Sequence, residues 1–280
     1  MARRSLLFAP GDEPELLYKT AETGADVVCF DLEDAVAPDA KAAAREAVND
    51  VVTDMAFDPD AEVVVRVNPS PETAKTDVAT ALAGDARVDA VMAPKTDSPA
   101  DVQTLADILA AHDHDLPVFA LCESAAGVLE AQAIAAADPV DALVFGAEDL
   151  AADIGATRTA EGTEVLHARE HIVLAAAAAG VDAIDTLHTD IEDSEGLAEA
   201  ARFGIELGFN GKICIHPAQV AVVNEAFTPD GERIEWARRV LDAAGEGGVV
   251  RVDGEMVDAP LVTQAERVRE RARAAGVWSD

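Results

Sequence analysis

Short runs rich in Val, Ile, Leu and Phe recur along the chain, separated by longer stretches whose apolar positions repeat every three to four residues. Eight such runs stand out: 4–9 (RSLLFA), 26–31 (DVVCFD), 62–67 (EVVVRV), 88–93 (VDAVMA), 116–122 (LPVFALC), 141–145 (DALVF), 181–185 (VDAID) and 211–215 (GKICI). Between them lie stretches of helical period such as "PDAKAAAREAVNDVV" and "ADVQTLADILAAH". This alternation predicts parallel strands, buried on both faces and joined by helical crossovers. Eight units with no Pro/Gly/Ser-rich linker predict an α/β fold of the (β/α)8 TIM-barrel type over residues 1–225, with a C-terminal helical extension over 226–280. A doubly wound open sheet is the alternative, weakened because the first turn, "FAPGDEP", lacks the G-x-G-x-x-G fingerprint.

Parallel barrel strands deliver their C-terminal ends to one rim, where barrel active sites lie. The residues at or just after those ends are Asp31, Glu33 and Asp34, then Arg66 and Asn68, Lys95, Glu123, Asp149, Asp185 and His216. Any one of them reads as a solvated loop residue; the set predicts a convergent polar site.

Composition tempers how the acids are read. The chain of 280 residues carries 54 Asp plus Glu against 21 Lys plus Arg, a formal charge of −33, with 4% aromatics. Acid alone is therefore weak evidence of a site. Only five of the bases are lysine, and alanine abounds. The pattern points to a halophilic cytoplasm, in which salt screens self-repulsion, and argues against nucleic acid or an anionic membrane as partner. No apolar run approaches the roughly 18 residues that span a bilayer, and no signal-type h-region is present, so a cytoplasmic protein is expected. Cys29, Cys122 and Cys214 stand far apart without C-x-x-C spacing, as buried hydrophobes would.

Glu123 in "FALCESAAGV" and Asp149 in "VFGAEDLAADIG" end strands five and six, neighbours in a barrel, so their carboxylates approach one another. Like charges brought close need a cation or a shared proton. With oxygen ligands alone the fitting ion is Mg²⁺, with Mn²⁺ as the alternative, its shell completed by water or substrate oxygens. Ion pairs to Arg66 or Lys95 are the competing explanation. Arg66 offers a permanently charged fork suited to a substrate carboxylate or to an oxygen that gains charge in the transition state. Lys19, just after the "APGDEP" turn, is placed to meet a phosphate, or is a surface lysine. Glu33 and Asp34 are expected behind the metal and Arg66, accepting from bound water or orienting Arg66 and a nearby lysine. His167 and His171 share a helical face but lack the Glu of a zincin motif, so they read as surface residues, and Ser124 has no partner base, which argues against serine hydrolysis.

The ordered segments "RRSLLFAPG", "FDLEDAV...K..AR", "VRVN", "CESAAGV", "FGAEDL..DIG" and "GKICIHPAQV" resemble the citrate lyase β-subunit-like group of the HpcH/HpaI aldolase superfamily, from Arg3 to about Asp258. That group includes malyl-CoA, β-methylmalyl-CoA and citramalyl-CoA lyases. The resemblance implies a (β/α)8 barrel, a homotrimer or homohexamer, and Mg²⁺-dependent C–C cleavage of a 3-hydroxyacyl-CoA thioester into an acyl-CoA and a small 2-oxo acid, or the reverse condensation. By the same resemblance Glu123 and Asp149 are the metal carboxylates, with Glu123 also near substrate, and Arg66 is the substrate arginine. Phe8, Lys19, Ile215 and His216 meet the acyl-CoA moiety. Asp258 in "VDGEMVDAP" is the acid that reaches a neighbouring subunit's site and serves as base. The segment "IDTLHTDIED" departs from the group's commoner aromatic-acid pattern. Two other readings stay open: a citryl-thioester lyase subunit within a citrate lyase complex, and a barrel kept as a non-catalytic acyl-CoA-binding protein.

Overall fold

A computed structural model describes residues 2–245, 251–252 and 255–279. Eight parallel strands close into a barrel in sequence order. They are β1 (Ser5–Pro10), β2 (Val27–Asp31), β3 (Glu62–Arg66), β4 (Ala90–Ala93), β5 (Val118–Cys122), β6 (Val140–Phe145), β7 (Asp182–Asp185) and β8 (Gly211–Cys214). Closure comes from β1 on β8, with Ser5 opposite Lys212 and Leu7 opposite Cys214. The crossovers carry α1 (Pro14–Thr20), α2 (Lys41–Thr53), α3 (Pro71–Ala81), α4 (Pro99–Ala110), α5 (Ala125–Leu129), α6 (Ala131–Ala135), α7 (Ala147–Asp153), α8 (Leu166–Ala179) and α9 (Ser194–Leu207); α10 (Pro217–Phe227) follows β8.

The strands form where β-branched and aromatic residues run together, because both faces are covered. One face fills the barrel: Leu6, Val27, Cys29, Val64, Met92, Phe119, Leu121, Val144, Ile184 and Ile213 form one buried cluster with Ala90 and Ala142. The three cysteines are free and buried within strands. Helices start where the sequence caps them. Ser98 and Asp101 form a reciprocal capping box ahead of Pro99, and Ser70 accepts from the Thr73 amide ahead of Pro71. Gly180 ends α8 with φ 77°, a left-handed stop that a Cβ would disfavour.

The end of the barrel at the strand starts is closed by Arg3. Its guanidinium donates to Glu62 at 2.7 and 2.8 Å, to Asp141 at 2.5 Å and to Asp182 at 3.1 Å, and lies 4.6 Å from the Phe119 ring centroid. Those acids sit at the starts of β3, β6 and β7, so one arginine ties three strands.

The chain divides into two compact units, Arg3–Val223 holding the barrel, and Asn224–Asp280 with Met1–Ala2. The second unit contains α11 (Gly231–Gly245), α12 (Ala259–Ala274) and an antiparallel pair of two-residue strands, β9 (Arg251–Val252) and β10 (Glu255–Met256), which the sequence did not predict. Its own core joins Ala237 and Val240 of α11, Val252, and Ala265 and Val268 of α12. Among the described residues no helix is long and apolar enough to cross a membrane.

Candidate active site at the strand ends

Continuing each inward-facing row by two residues carries it from the apolar core to the rim: Leu6 to Phe8, Cys29 to Asp31, Val64 to Arg66, Leu121 to Glu123, Val144 to Gly146, Ile184 to Thr186 and Ile213 to Ile215. All seven rim positions line one cavity of about 240 Å³, with Pro10, Ala147, Glu148, Asp149 and Leu187 among the other walls. The site is therefore the last inward layer of the barrel, chemically changed from apolar to polar.

Arg66 is framed from three sides. Its Nε and Nη2 donate to the two oxygens of Asp31 at 2.7 and 2.6 Å, its Nη1 lies 3.1 Å from Glu33, and its guanidinium sits 4.8 Å from the Phe8 ring centroid. Asp31 takes the side edge of the fork, and Nη1 beyond it has only the unaligned Glu33 Oε2 beside it, so the terminal edge is incompletely partnered. Asp31 also accepts the amides of Glu33 and Ala35, which folds the segment after β2 back over its own carboxylate. Glu33 Oε2 has no aligned donor, although Arg66 Nη1 is its ion-pair partner. Glu33 Oε1 accepts from the Lys95 ammonium at 2.6 Å. Burial pushes the Glu33 carboxyl up, against the hydrogen bond from Lys95 and the charge of Arg66.

Glu123 is 5% exposed. Its Oε1 accepts the Lys95 amide at 2.9 Å. Gly146 presses on it from the next strand: a Cβ there would lie 2.6 Å from the Glu123 Cβ and 2.8 Å from Oε2, so only glycine leaves the carboxylate its place. Burial, with the negative charge of Asp149 adding to it, pushes the Glu123 carboxyl up to about 8. Asp149 lies in the first turn of α7, whose first amide, that of Ala147, donates to the Thr186 hydroxyl at 3.1 Å. Among the described residues neither Glu123 nor Asp149 has an ion pair, since the two cations at the rim go elsewhere: Arg66 to Asp31 and Glu33, Lys95 to Glu33 and Asp34. A buried carboxylate facing a second one and lacking a cation fits a hard divalent ion. Among the described residues no group of three or more His, Cys, Asp or Glu is arranged to hold a metal, so water or ligand oxygens would complete the shell.

Other sequence-predicted residues sort by strand parity. Asp185 falls on the outward face between Ile184 and Thr186 and is fully buried, taken up by Arg169 at 3.0 and 2.7 Å and Lys212 at 3.3 Å. It supports the wall and does not converge on the cavity, which corrects the expectation. Ile215 lines the cavity, whereas His216 is exposed and its Nδ1 accepts the Ala218 amide at the start of α10. Lys19 is exposed on the last turn of α1, outside the cavity lining. The Asp34 side chain is 58% exposed, 3.6 Å from the Lys95 ammonium. Asp258, in the second unit, is exposed and caps α12 by accepting the Leu261 amide at 3.1 Å.

Sequence reasoning missed the role of Lys41. Its ammonium donates to the Leu32 and Glu33 carbonyls and to Asn68 Oδ1, locking the segment that carries Glu33, while Asn68 in turn donates to Leu32 and Asp77. The placement of Lys41 and Arg45 after "FDLEDAV" held that signal, because Arg45, four residues on and hence on the same helical face, pairs with the buried Asp77 at 2.6 Å.

Comparison with known proteins agrees with this architecture. Residues 4–217 match the family model described as HpcH/HpaI aldolase/citrate lyase. A citrate lyase subunit beta-like protein of Mycobacterium tuberculosis is 43% identical over 275 residues, 96% of this chain and 95% of that protein. The human mitochondrial citramalyl-CoA lyase is 35% identical over 285 residues, covering 94% of this chain and 84% of that one. Among solved structures, the protein CitE of Mycobacterium tuberculosis in complex with magnesium, acetoacetate and coenzyme A superposes with a TM-score of 0.81 at 40% identity, covering 97% of this chain and 98% of that chain. The chain belongs to the HpcH/HpaI aldolase/citrate lyase family.

Proposed function

We propose that this protein is a Mg²⁺-dependent carbon–carbon lyase that splits a 3-hydroxyacyl-CoA such as malyl-CoA, β-methylmalyl-CoA or citramalyl-CoA into an acyl-CoA and a small 2-oxo acid, or joins the two in reverse. The observation that carries the reading is the uncompensated pair Glu123 and Asp149 across one cavity from the framed Arg66. The magnesium and coenzyme A bound by the related CitE, and the name of the human relative, support it.

Glu123 and Asp149 would hold the ion, which when bound supplies Lewis-acid polarisation of oxo-acid oxygens. The terminal edge of Arg66 meets the substrate and stabilises the oxygen that gains charge as the C–C bond breaks. In cleavage a base takes the hydroxyl proton, the C–C electron pair passes to the acyl-CoA α-carbon, and protonation of that enolate releases acyl-CoA. The family resemblance assigns the base to Asp258, contributed by a neighbouring subunit of a homotrimer or homohexamer. Glu33 and Asp34 keep Arg66 and Lys95 in register, and the apolar walls Phe8, Leu121, Leu187, Ile213 and Ile215 keep water from the enolate. Lys19 and His216 are assigned to the CoA moiety on the resemblance alone.

The test is a thioester-cleavage screen with malyl-, β-methylmalyl-, citramalyl- and citryl-CoA in about molar KCl, chosen to screen the surface charge. Turnover that appears only with Mg²⁺ and disappears in Glu123→Ala and Asp149→Ala is expected; turnover that survives chelation of the metal overturns the reading. Asp258→Asn keeps a good helix cap, so a folded variant with turnover reduced about a hundredfold would mark the carboxylate as the base. Unchanged turnover would remove it from that role.

A further inference from the structure

Lys95 holds a backbone conformation that its side chain does not favour. Its φ of 48° lies in the left-handed region, one of two non-glycine positive φ values among the described residues. The turn around it is fixed from both sides: the Thr96 amide donates to the Leu121 carbonyl and the Thr96 hydroxyl to the Ala93 carbonyl, each at 3.0 Å. Gly127 packs so closely that an added Cβ would lie 2.3 Å from the Thr96 carbonyl oxygen. Strain that the surroundings impose at a site calls for a reason there.

The reason is visible in where its two donors go. The amide meets Glu123 Oε1 at 2.9 Å and the ammonium meets Glu33 Oε1 at 2.6 Å. An extended or right-handed residue at 95 would turn the amide away from Glu123. Without the ammonium, Glu33 would be left with Arg66 as its partner and would close on the terminal edge of the fork. Lys95 thus links Glu123 to the Glu33–Arg66 pair, and its side chain is 43% exposed.

We propose that Lys95 is a two-handed positioning residue: its left-handed main chain sets the Glu123 carboxylate for a divalent cation, and its ammonium shares Glu33 so that Arg66 stays open to the substrate. This rests on the lyase reading above. The hands are separable by substitution. Lys95→Gly and Lys95→Met both remove the ammonium and tolerate the turn, whereas Lys95→Val adds a β-branch that disfavours positive φ. Mn²⁺ binding to the metal-free protein, followed by electron paramagnetic resonance, reads the main-chain hand. Steady-state KM and kcat for the thioester read the side-chain hand.

The glycine and methionine variants are expected to bind Mn²⁺ like the parent, and the valine variant about tenfold more weakly, the loss that one left-handed residue's cost converts to. Gly127→Ala, which displaces the same turn through Thr96, should weaken Mn²⁺ alike and stands in should the valine variant not fold. Lys95→Met should raise KM about tenfold, as loss of one charge-assisted hydrogen bond does, with kcat less affected, and Lys95→Arg should restore it. Equal Mn²⁺ affinity in the valine, Gly127→Ala and glycine variants overturns the main-chain half. A parental KM in Lys95→Met overturns the side-chain half. A parent that binds no Mn²⁺, or binds it undiminished in Glu123→Gln, removes the lyase reading itself and is told apart by that result.

Discussion

A carboxylate that burial and a neighbouring acid have pushed up to about 8 makes the metal-free protein pay for its site as the pH rises. Below the ordinary carboxylate range Glu123 is protonated in both folded and unfolded chains and has no effect. Between about 4.5 and 8 the folded chain holds a proton that the unfolded chain has released, so stability falls with pH through this window and is lowest above it. Glu123→Gln should therefore flatten the pH dependence of the metal-free melting temperature and raise that temperature at pH 8 or above, while abolishing any stabilisation by added Mg²⁺. Thermal melts with and without chelator check both parts, and a variant less stable than the parent at pH 8 would show that the site is compensated in a way its geometry does not reveal. At this scale the sequence was legible where a side chain falls on the inward row, as Arg66, Glu123 and Ile215 do. It misled at Asp185, because strand ends fixed only to within a residue or two leave the in-or-out parity open.

Elements were easier to read than residues. All eight strands lie within two residues of their predicted bounds, because runs buried on both faces carry an unbroken apolar signal. The small β9–β10 pair was not legible, since strands of two residues have no period to detect. Nor was the split of α5 from α6 at Glu130. The barrel end opposite the cavity tests the idea that stability and chemistry are held apart at the two ends. Arg3→Met would leave Glu62, 8% exposed, without its cation, and should cost about 3–5 kcal/mol in denaturant unfolding. Mn²⁺ affinity at the far end should hold; a parallel loss of metal binding would mean that the strand starts and the rim are mechanically coupled.

At the scale of the whole molecule, 54 acids against 21 bases make repulsion the dominant unfavourable charge term at low ionic strength. Raising KCl from about 0.1 M to about 2 M should shrink the screening length severalfold and lift the melting temperature by roughly 10 °C. A flat response would mean that the acids are balanced locally, as Arg3, Arg66 and Arg169 balance theirs.

The same composition leaves five lysines, and three have their ammonium groups engaged around the cavity: Lys41 on the segment after β2, Lys95 on Glu33 and Lys212 on the Thr186 carbonyl. Lys19 and Lys75 lie exposed on helices. Lys212 is 2% exposed, while the Lys95 side chain is 43% exposed. An amine-selective acylating reagent thus meets Lys19 and Lys75 first, whereas the ion pair with Glu33 holds the partly exposed Lys95 amine protonated against the desolvation of its site, so a ligand that separates Lys95 from Glu33 would register as a gain in acylation at that one rim lysine.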